Sequence, residues 1–537
     1  MSKNEAMTAD GARDFDVIIV GSGMAGLSTA SLLAQVGKKR VLVLESHFKL
    51  GGFLHGFQRH GYEWDPGVHY LGELSEGSLT RYCMDLVTGS KVQWHKLEHE
   101  FEEFVFPEMK LRVPSDPKEY KAVLKGHFPG EAKGLDKYFK DLGRIRLWSQ
   151  RWFFSKVYSG VLGSLLSVGR KVVETNTKEY LDANFNDPQL KAILTAQWGD
   201  YGTPPGSSAM GVHGIVAADF EKGGFYPIGG SQKIIDAAVA KIEEHGGTCL
   251  TRHPVSEILI ENNKAYGVSV ETRQGTEQYF APIVVSAAGV DTTFGKLVDT
   301  DHAQVERARL MESEPGPSAT VLFLGIKDDP RNHGFRDTNY WVYRGLDHNV
   351  PTDTTSFPPR IDGGYLSFGS LRNPVLDKHT AQIVTFSNHE VWAEYEAKPW
   401  KKRGEEYEQM KADYADQLLD FIDERLPGLR DIVEYKELST PLTVESFTNH
   451  PNGQIYGRAC TPRRVASKWS IDTSVDKLYI TGTDLVCPGI NSALMIGVMT
   501  AGKLLGPAGV PMVMHAARST EPASAYEYEA TSDSAAQ

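Results

Sequence analysis

A chain of 537 residues is long enough for two or three domains with developed cores, and its 41% hydrophobic and 23% charged residues match a soluble globular protein. A formal net charge of -12 works against a phosphate-backbone partner, which needs clustered Lys and Arg to release counterions, so nucleic acid is set aside. Cys83, Cys249, Cys460 and Cys487 have no C-x-x-C spacing, which excludes a zinc site or a disulfide framework as the working expectation and fits a reducing compartment. No metal is expected. Residues 1–14 are polar and read as a flexible start without a secretory signal, and no run reaches about 18 uninterrupted apolar residues. The expectation is a cytoplasmic protein with membrane contact left open.

Residues 15–20 read FDVIIV, a β-branched run suited to a parallel strand buried on both faces. A glycine turn ends it, and small and apolar residues then recur at helical spacing from Met24 to Val36 before Gly37 stops the helix. A second apolar strand, residues 40–44, completes a βαβ unit. After an aromatic-rich middle region, Ile234, Ile235, Ala238, Val239 and Ile242 line one helical face between Ser231 and His245. Three strands are predicted next, over 255–260, 265–272 and 277–280, joined by turns at Asn262-Asn263 and Gln274-Gly275. Residues 283–286 and 477–481 read as two further buried strands, and 491–505 as a helix after a Pro-Gly turn. Between about 300 and 440 mixed strand and helix are predicted, with 398–408 a solvated helix face. The Ala, Ser, Thr and Glu of 519–537 predict a disordered tail.

Gly21-Ser22-Gly23-Met24-Ala25-Gly26 matches G-x-G-x-x-G between a strand and a helix, and Glu45 ends the next strand. Gly21 permits the tight turn, Gly23 lets the backbone approach a pyrophosphate, and Gly26 allows close helix packing. The helix N-terminus supplies partial positive charge, and Glu45, followed by Ser46, would hold ribose hydroxyls. A dinucleotide is expected, either NAD or FAD on these residues alone. Gly51-Gly52 follows in a loop instead of another αβ repeat, which favours FAD.

Residues 42–72 resemble the flavoprotein superfamily that includes phytoene desaturases, carotenoid isomerases and retinol saturase. The resemblance implies that Gly51 and Gly52 lie beside the FAD pyrophosphate, and that Asp65, Gly67, Val68, His69 and Tyr70 pass near the isoalloxazine and the substrate. It continues through Gly199-Asp200-Tyr201-Gly202 and the long run from Gly223 to Ser231. It also implies that Val255 lays backbone against the adenine and that Gly482-Thr483-Asp484 forms the C-terminal FAD motif. The helix near Gly489, Ile490 and Asn491 would aim free N–H groups at the flavin, and stabilising a reduced anion there is worth about 1 to 2 kcal/mol.

The implied fold is α/β, a Rossmann-type FAD-binding domain like that of glutathione reductase and amine oxidases with an inserted mixed α+β substrate domain. The FAD part takes residues 15–75, 225–300 and 470–506, and the substrate or lid region takes 76–224 and 301–469. From Leu142 to Val173 there is no acidic residue. Six basic ones, Arg144, Arg146, Arg151, Lys156, Arg170 and Lys171, interleave with Trp148, Trp152, Phe153, Phe154 and Tyr158. That pattern fits a membrane-contact segment or a lid, and equally a core helix with a solvated face.

The implied chemistry is at a carbon–carbon double bond of a long apolar molecule, a retinoid, carotenoid or other lipid. Saturation by reduced flavin comes first, with NAD(P)H as a candidate electron donor. His69, Tyr70 and Tyr201 are the candidate proton donors. Desaturation or cis-trans isomerisation on the same frame is the alternative. A non-catalytic prenyl-binding protein of the Rab escort and GDP-dissociation inhibitor type is the alternative of another class.

Overall fold

The computed structural model describes residues 15–158, 171–349 and 359–523. The flexible start, residues 159–170 of the candidate membrane segment and residues 524–537 of the expected tail lie outside the described residues. Residues 519–523 do not behave as a disordered tail. Ser519 ends a helix, Gly509–Ser519, and the carbonyls of Glu521 and Ala523 accept hydrogen bonds from Ser90 and Arg81.

Val17–Val20 and Val41–Leu44 are buried at every residue, and they pair in parallel at the middle of a five-stranded sheet. The strand order is Leu478–Ile480, Val284–Ser286, Val17–Val20, Val41–Leu44 and Thr248–Leu250, every neighbouring pair parallel. Helix Met24–Gln35 follows the glycine turn and packs on the C-terminal helix Ile490–Leu504. Contact is close there because of Gly497, where a methyl would lie 2.7 Å from the Ala25 carbonyl oxygen. Segments more than 450 residues apart are thereby joined into one layer. The predicted three-stranded meander forms as Val255–Glu261, Lys264–Thr272 and Gly275–Phe280, reversed at Asn262 and Asn263 with φ of 51° and 58°. Asn tolerates that left-handed backbone better than most residues.

A second, seven-stranded sheet faces this layer. Its order is Val433–Ser439, Ala319–Ile326, His379–Phe386, Gly363–Ser367, Asn339–Tyr343, Glu100–Phe106 and Met109–Pro114. All its pairs are antiparallel except Asn339–Tyr343 with Glu100–Phe106, which places Glu102 opposite Asn339. One parallel pair thus unites the chain before residue 115 with the chain after 318.

Two expectations need correction. Residues 398–408 are not one helix face: a 3-10 turn ends at Tyr395 and helix Glu405–Asp423 begins only at Glu405 after an irregular stretch. The described part of the basic, aromatic segment turns its tryptophans inward and leaves a solvated face. In helix Ala132–Ser155 the rings of Trp148 and Trp152 stack at 5.0 Å and are each 1% exposed, against helix Met210–Asp219. Arg144 pairs with Asp141, Arg146 with Glu73 and Glu221, and Lys156 is buried with its ammonium on the Trp469 carbonyl. Gly143, Arg144, Leu147, Gln150, Arg151, Phe154, Tyr158 and Lys171 are the exposed residues of its described part. Among the described residues no helix is long and apolar enough to cross a membrane.

Candidate active site

The first glycine turn is held at the sheet edge by Gly21, whose N–H donates to the Leu44 carbonyl at 2.8 Å and whose φ is 97°. Gly26 must be glycine for packing, since a methyl there would lie 2.2 Å from the Gly21 carbonyl oxygen. Gly23 is different, with open space for 4 Å around the same position. No side chain caps the helix that begins at Met24, so its first N–H groups face that space. An open cleft over uncapped amides fits a pyrophosphate.

Around this cleft the other glycine and acidic positions gather. Glu45 Oε2 accepts from the N–H and Oγ of Ser22 at 3.0 and 2.6 Å, and Oε1 accepts from the His47 N–H and from Ser46 Oγ. Gly51 N–H donates to Ser22 Oγ at 2.9 Å, and a methyl at Gly52 would lie 3.2 Å from Gly23 Cα. Val255 starts its strand just after His253, whose N–H donates to the Glu45 carbonyl. Asp484 accepts from the N–H groups of Val290 and Arg458, and Gly289 packs on its carboxylate. Gly482 and Gly489 take φ of 132° and 105°. Gly489 and Ile490 open helix Ile490–Leu504 without a side-chain cap, and the Asn491 amide donates to the Gly72 carbonyl and to Asp219.

Residues 65–72 cross from this layer to the seven-stranded sheet. Gly67 passes so close to Phe53 that a methyl would lie 2.3 Å from the Phe53 carbonyl oxygen, and Val68 is buried beside it. Asp65 is clasped by the later motif, accepting from the Tyr226 hydroxyl, from the Ser231 N–H at 2.9 Å and from Ser231 Oγ at 2.7 Å. Burial holds its carboxyl above the usual range against those donors. The two motifs that looked separate along the chain are one clasp in space.

Beyond the clasp, a cavity of about 240 Å³ opens on the face of the larger sheet. Trp198, Trp341, Tyr343, Tyr365, Phe386 and Tyr456 wall it, with His69 and Asp200 on its border and the Arg360–Asp362 ion pair also lining it. A larger cavity of about 900 Å³ lies on the other side of residues 53–66, bordered by Phe53, Phe57, Trp64, Ile235 and Phe447.

The candidate donors part company here. His69 borders the cavity, its Nδ1 has no partner among the described residues, and burial with the nearby Arg372 guanidinium pushes the imidazole down to about 3. Tyr70 borders neither cavity. Its ring stacks on Phe220 at 4.4 Å, and its hydroxyl lies 2.6 Å from Glu102 Oε1 and 2.7 Å from Asp200 Oδ2. Tyr201 points away from the cavity, to His213 Nδ1 at 3.2 Å, while Tyr138 holds the other ring nitrogen. Its neighbour in the same motif, Asp200, takes the place expected of it.

Sequence reasoning overlooked three charged groups. Glu102 is fully buried, and burial together with Asp200 pushes its carboxyl up to about 8; desolvation likewise raises Asp200 to about 7. Arg372, 0% exposed, donates to the His69 carbonyl, Ser367, Thr338 and Asn339 and pairs with Asp337, which also meets His95 Nε2 at 2.6 Å. The signal was present for Glu102, since an acid inside the run EFEEFVF must face a neighbour in a buried strand. A partner 303 residues away, as the His69 carbonyl is for Arg372, leaves no local mark. Where no metal was expected, His389, Glu396 and Glu445 bring ligand-type atoms within 4.8 Å of one another, and none of the three lines this cavity.

Known proteins resemble the chain over most of its length. An all-trans-retinol 13,14-reductase of Danio rerio is 30% identical over 530 residues, covering 92% of this chain and 86% of its own. A chloroplastic prolycopene isomerase of an Oncidium hybrid is 27% identical, covering 94% and 86%. Among solved structures, an oxidoreductase of Methanosarcina mazei superposes with a TM-score of 0.61 at 17% identity, covering 90% of this chain and 98% of its own, which shows the shared fold. The flavin-containing amine oxidoreductase model matches residues 24–364, a span that starts inside the first glycine turn and ends in a wall strand of the cavity. The matched span takes in Glu45, Gly51, Gly52, His69 and Asp200 and covers more than half of the sequence, and the chain belongs to the flavin-containing amine oxidoreductase family as an FAD-dependent oxidoreductase.

Proposed function

We propose that this enzyme saturates a carbon–carbon double bond of an apolar polyene of the retinoid or carotenoid class. The observation that carries the reading is the aromatic cavity. Six aromatic side chains surround a narrow space with a neutral imidazole and a raised carboxyl on its border, which suits an extended conjugated chain, and the Arg360 and Asp362 charges that also line it are paired with each other. The names of the retinol reductase and prolycopene isomerase relatives, both acting on polyenes, support it.

In this reading the Gly21–Gly26 turn and Gly51-Gly52 hold the FAD pyrophosphate, and Glu45, releasing Ser22, takes the ribose hydroxyls. Val255 borders the adenine, Asp484 and Gly482 lie along the ribityl and phosphate stretch, and Gly67, Val68 and the helix start at Gly489, Ile490 and Asn491 border the ring system. Bound and reduced FAD supplies the hydride, with NAD(P)H the first reductant to try. The protein aligns the double bond, excludes water with its aromatic walls and supplies a proton to the second carbon. Leu147, Phe154 and Tyr158 beside Arg151 support a shallow membrane contact from which an insoluble substrate is taken up.

The test is anaerobic reduction of the purified flavoprotein followed by incubation with all-trans-retinol and with a carotenoid, the products resolved by chromatography and mass spectrometry. A product carrying two added hydrogens is expected. An unchanged mass with altered retention would replace saturation by isomerisation, and no product from any apolar polyene would remove the reading altogether.

A further inference from the structure

One hydroxyl bridges two carboxyls behind the cavity, and a phenol has a single proton to give. Tyr70 Oη lies within hydrogen-bond distance of Glu102 Oε1 at 2.6 Å and of Asp200 Oδ2 at 2.7 Å. It can donate to one of them only. If both carboxyls were ionised, the second contact would set a lone pair against a lone pair at that distance in a site with little water. The geometry is satisfied when one carboxyl is protonated and donates to the Tyr70 oxygen while Tyr70 donates to the other.

The surroundings favour a retained proton. The neighbours of the pair include Trp341, whose Nε1–H points at Glu102 Oε1 at 3.3 Å, the Gln197 amide, the Tyr120, Tyr201, Tyr343, Tyr365 and Tyr456 phenols, and Asp219. The buried cation Arg372 is committed to Asp337, Asn339 and the His69 carbonyl. Glu102 Oε2 has no partner of hydrogen-bonding geometry among the described residues. The two ends also differ in access: Glu102 is 0% exposed, while Asp200 borders the cavity.

We propose that Glu102, Tyr70 and Asp200 form a proton relay that stores one proton between two carboxyls and delivers it through Asp200 to the cavity. A shift of two protons along the Tyr70 hydroxyl, one in and one out, moves the stored proton from Glu102 to Asp200 without moving a heavy atom. Resting on the double-bond reading, the balance is complete. Asp200 gives its proton to one carbon of the double bond, reduced flavin gives a hydride to the other, two C–H bonds replace the π bond, and the flavin is oxidised by two electrons. Tyr70 then reprotonates Asp200 and Glu102 reprotonates Tyr70; once product has left, a proton from water in the cavity enters at Asp200 and the same two-proton shift run backwards returns it to Glu102. Asp200 is the catalytic acid, and Tyr70 and Glu102 act through it.

The relay can be tested apart from the substrate. Infrared spectroscopy of the substrate-free flavoprotein across a pH series should show a protonated-carboxyl C=O stretch at neutral pH that disappears on alkalisation. In Glu102→Gln or Asp200→Asn the remaining carboxyl takes the Tyr70 hydroxyl for itself, so its band should be lost at lower pH. Tyr70→Phe should shift the band frequency. Absence of any such band in the wild type near neutrality, or a band indifferent to both carboxyl substitutions, overturns the relay. In a second arm, all-trans-retinol reoxidises the anaerobically reduced flavin, and Asp200→Asn should slow this by about 10²- to 10⁴-fold with flavin still bound, the usual worth of a positioned acid. Unchanged reoxidation in that variant also overturns it. Failure of the wild type to reoxidise with retinol counts against the polyene reading, and the infrared series then decides the relay alone.

Discussion

Gly23 and Gly26 are three residues apart in one motif and are required for unlike reasons. A side chain at Gly26 meets the Gly21 carbonyl at 2.2 Å, whereas one at Gly23, in an ordinary extended backbone at φ of -61°, meets nothing within 4 Å. Gly26→Ala should therefore force helix from turn and cost about 1 to 3 kcal/mol or more, with loss of flavin as a consequence. Gly23→Ala should fold with an unchanged melting temperature and lose flavin only because a methyl occupies the phosphate cleft. Flavin absorbance retained after gel filtration, read beside a thermal melt, separates the two; equal melting temperatures would show that the packing argument is wrong. His69 is a further case in which position and chemistry diverge. An imidazole pushed down to about 3 carries no proton to give at neutral pH, so His69→Ala should slow turnover by less than about tenfold without moving the pH profile, well short of a lost general acid. A displaced alkaline limb in that variant would return His69 to the list of acids.

At the scale of elements, what could be read along the chain followed the range of the interactions involved. The strands at 17–20 and 41–44, the helix from Met24 and the meander after Val255 were legible because burial on both faces, helical spacing and paired Asn turns leave marks within a dozen residues. The turn at Gly21 to Gly26 between its strand and helix was legible for the same reason. The cavity was not: its walls come from residues 198, 341, 365, 386 and 456, brought together by a seven-stranded sheet whose pairings span hundreds of residues. The basic, aromatic segment shows the converse, a local pattern whose meaning is set elsewhere, since Glu73, Glu221 and the Trp469 carbonyl lie far off in sequence yet neutralise its charges. Trp152→Ala should accordingly act as a core truncation worth about 3 to 5 kcal/mol, seen as a large fall in melting temperature. Liposome flotation of Leu147→Glu and Phe154→Glu, which alter exposed positions, should weaken membrane capture without that fall. A Trp152→Ala protein that melts normally and floats poorly would assign the helix to the bilayer instead.

For the whole molecule, the buried ionisable groups write opposing terms into the pH dependence of stability, and their signs can be worked out separately. Glu102 and Asp200 are raised to about 8 and about 7. A carboxyl that is neutral in the fold and ionises near pH 4 when unfolded binds more protons folded, so its contribution is fully present below the unfolded value and is lost as pH rises through the folded one. Because the two share Tyr70 they titrate as a pair, and the loss belongs to both. Lys156 works in the other direction. Burial and Arg464 lower its ammonium to about 7, so the unfolded chain holds the extra proton above that value, and the penalty present below it is relieved as pH rises toward the ordinary lysine range. The melting temperature of the wild type therefore reports a sum in which the two terms partly cancel above neutrality. Glu102→Gln combined with Asp200→Asn, measured against the wild type from about pH 5 to about pH 9, leaves Lys156 common to both curves. The difference should grow in favour of the variant as pH rises and level off above about 8, where the native carboxyls have ionised. Lys156→Met should instead stabilise most below about 7 and converge with the wild type at alkaline pH. A double variant whose curve runs parallel to that of the wild type would show that neither carboxyl keeps its proton in the fold.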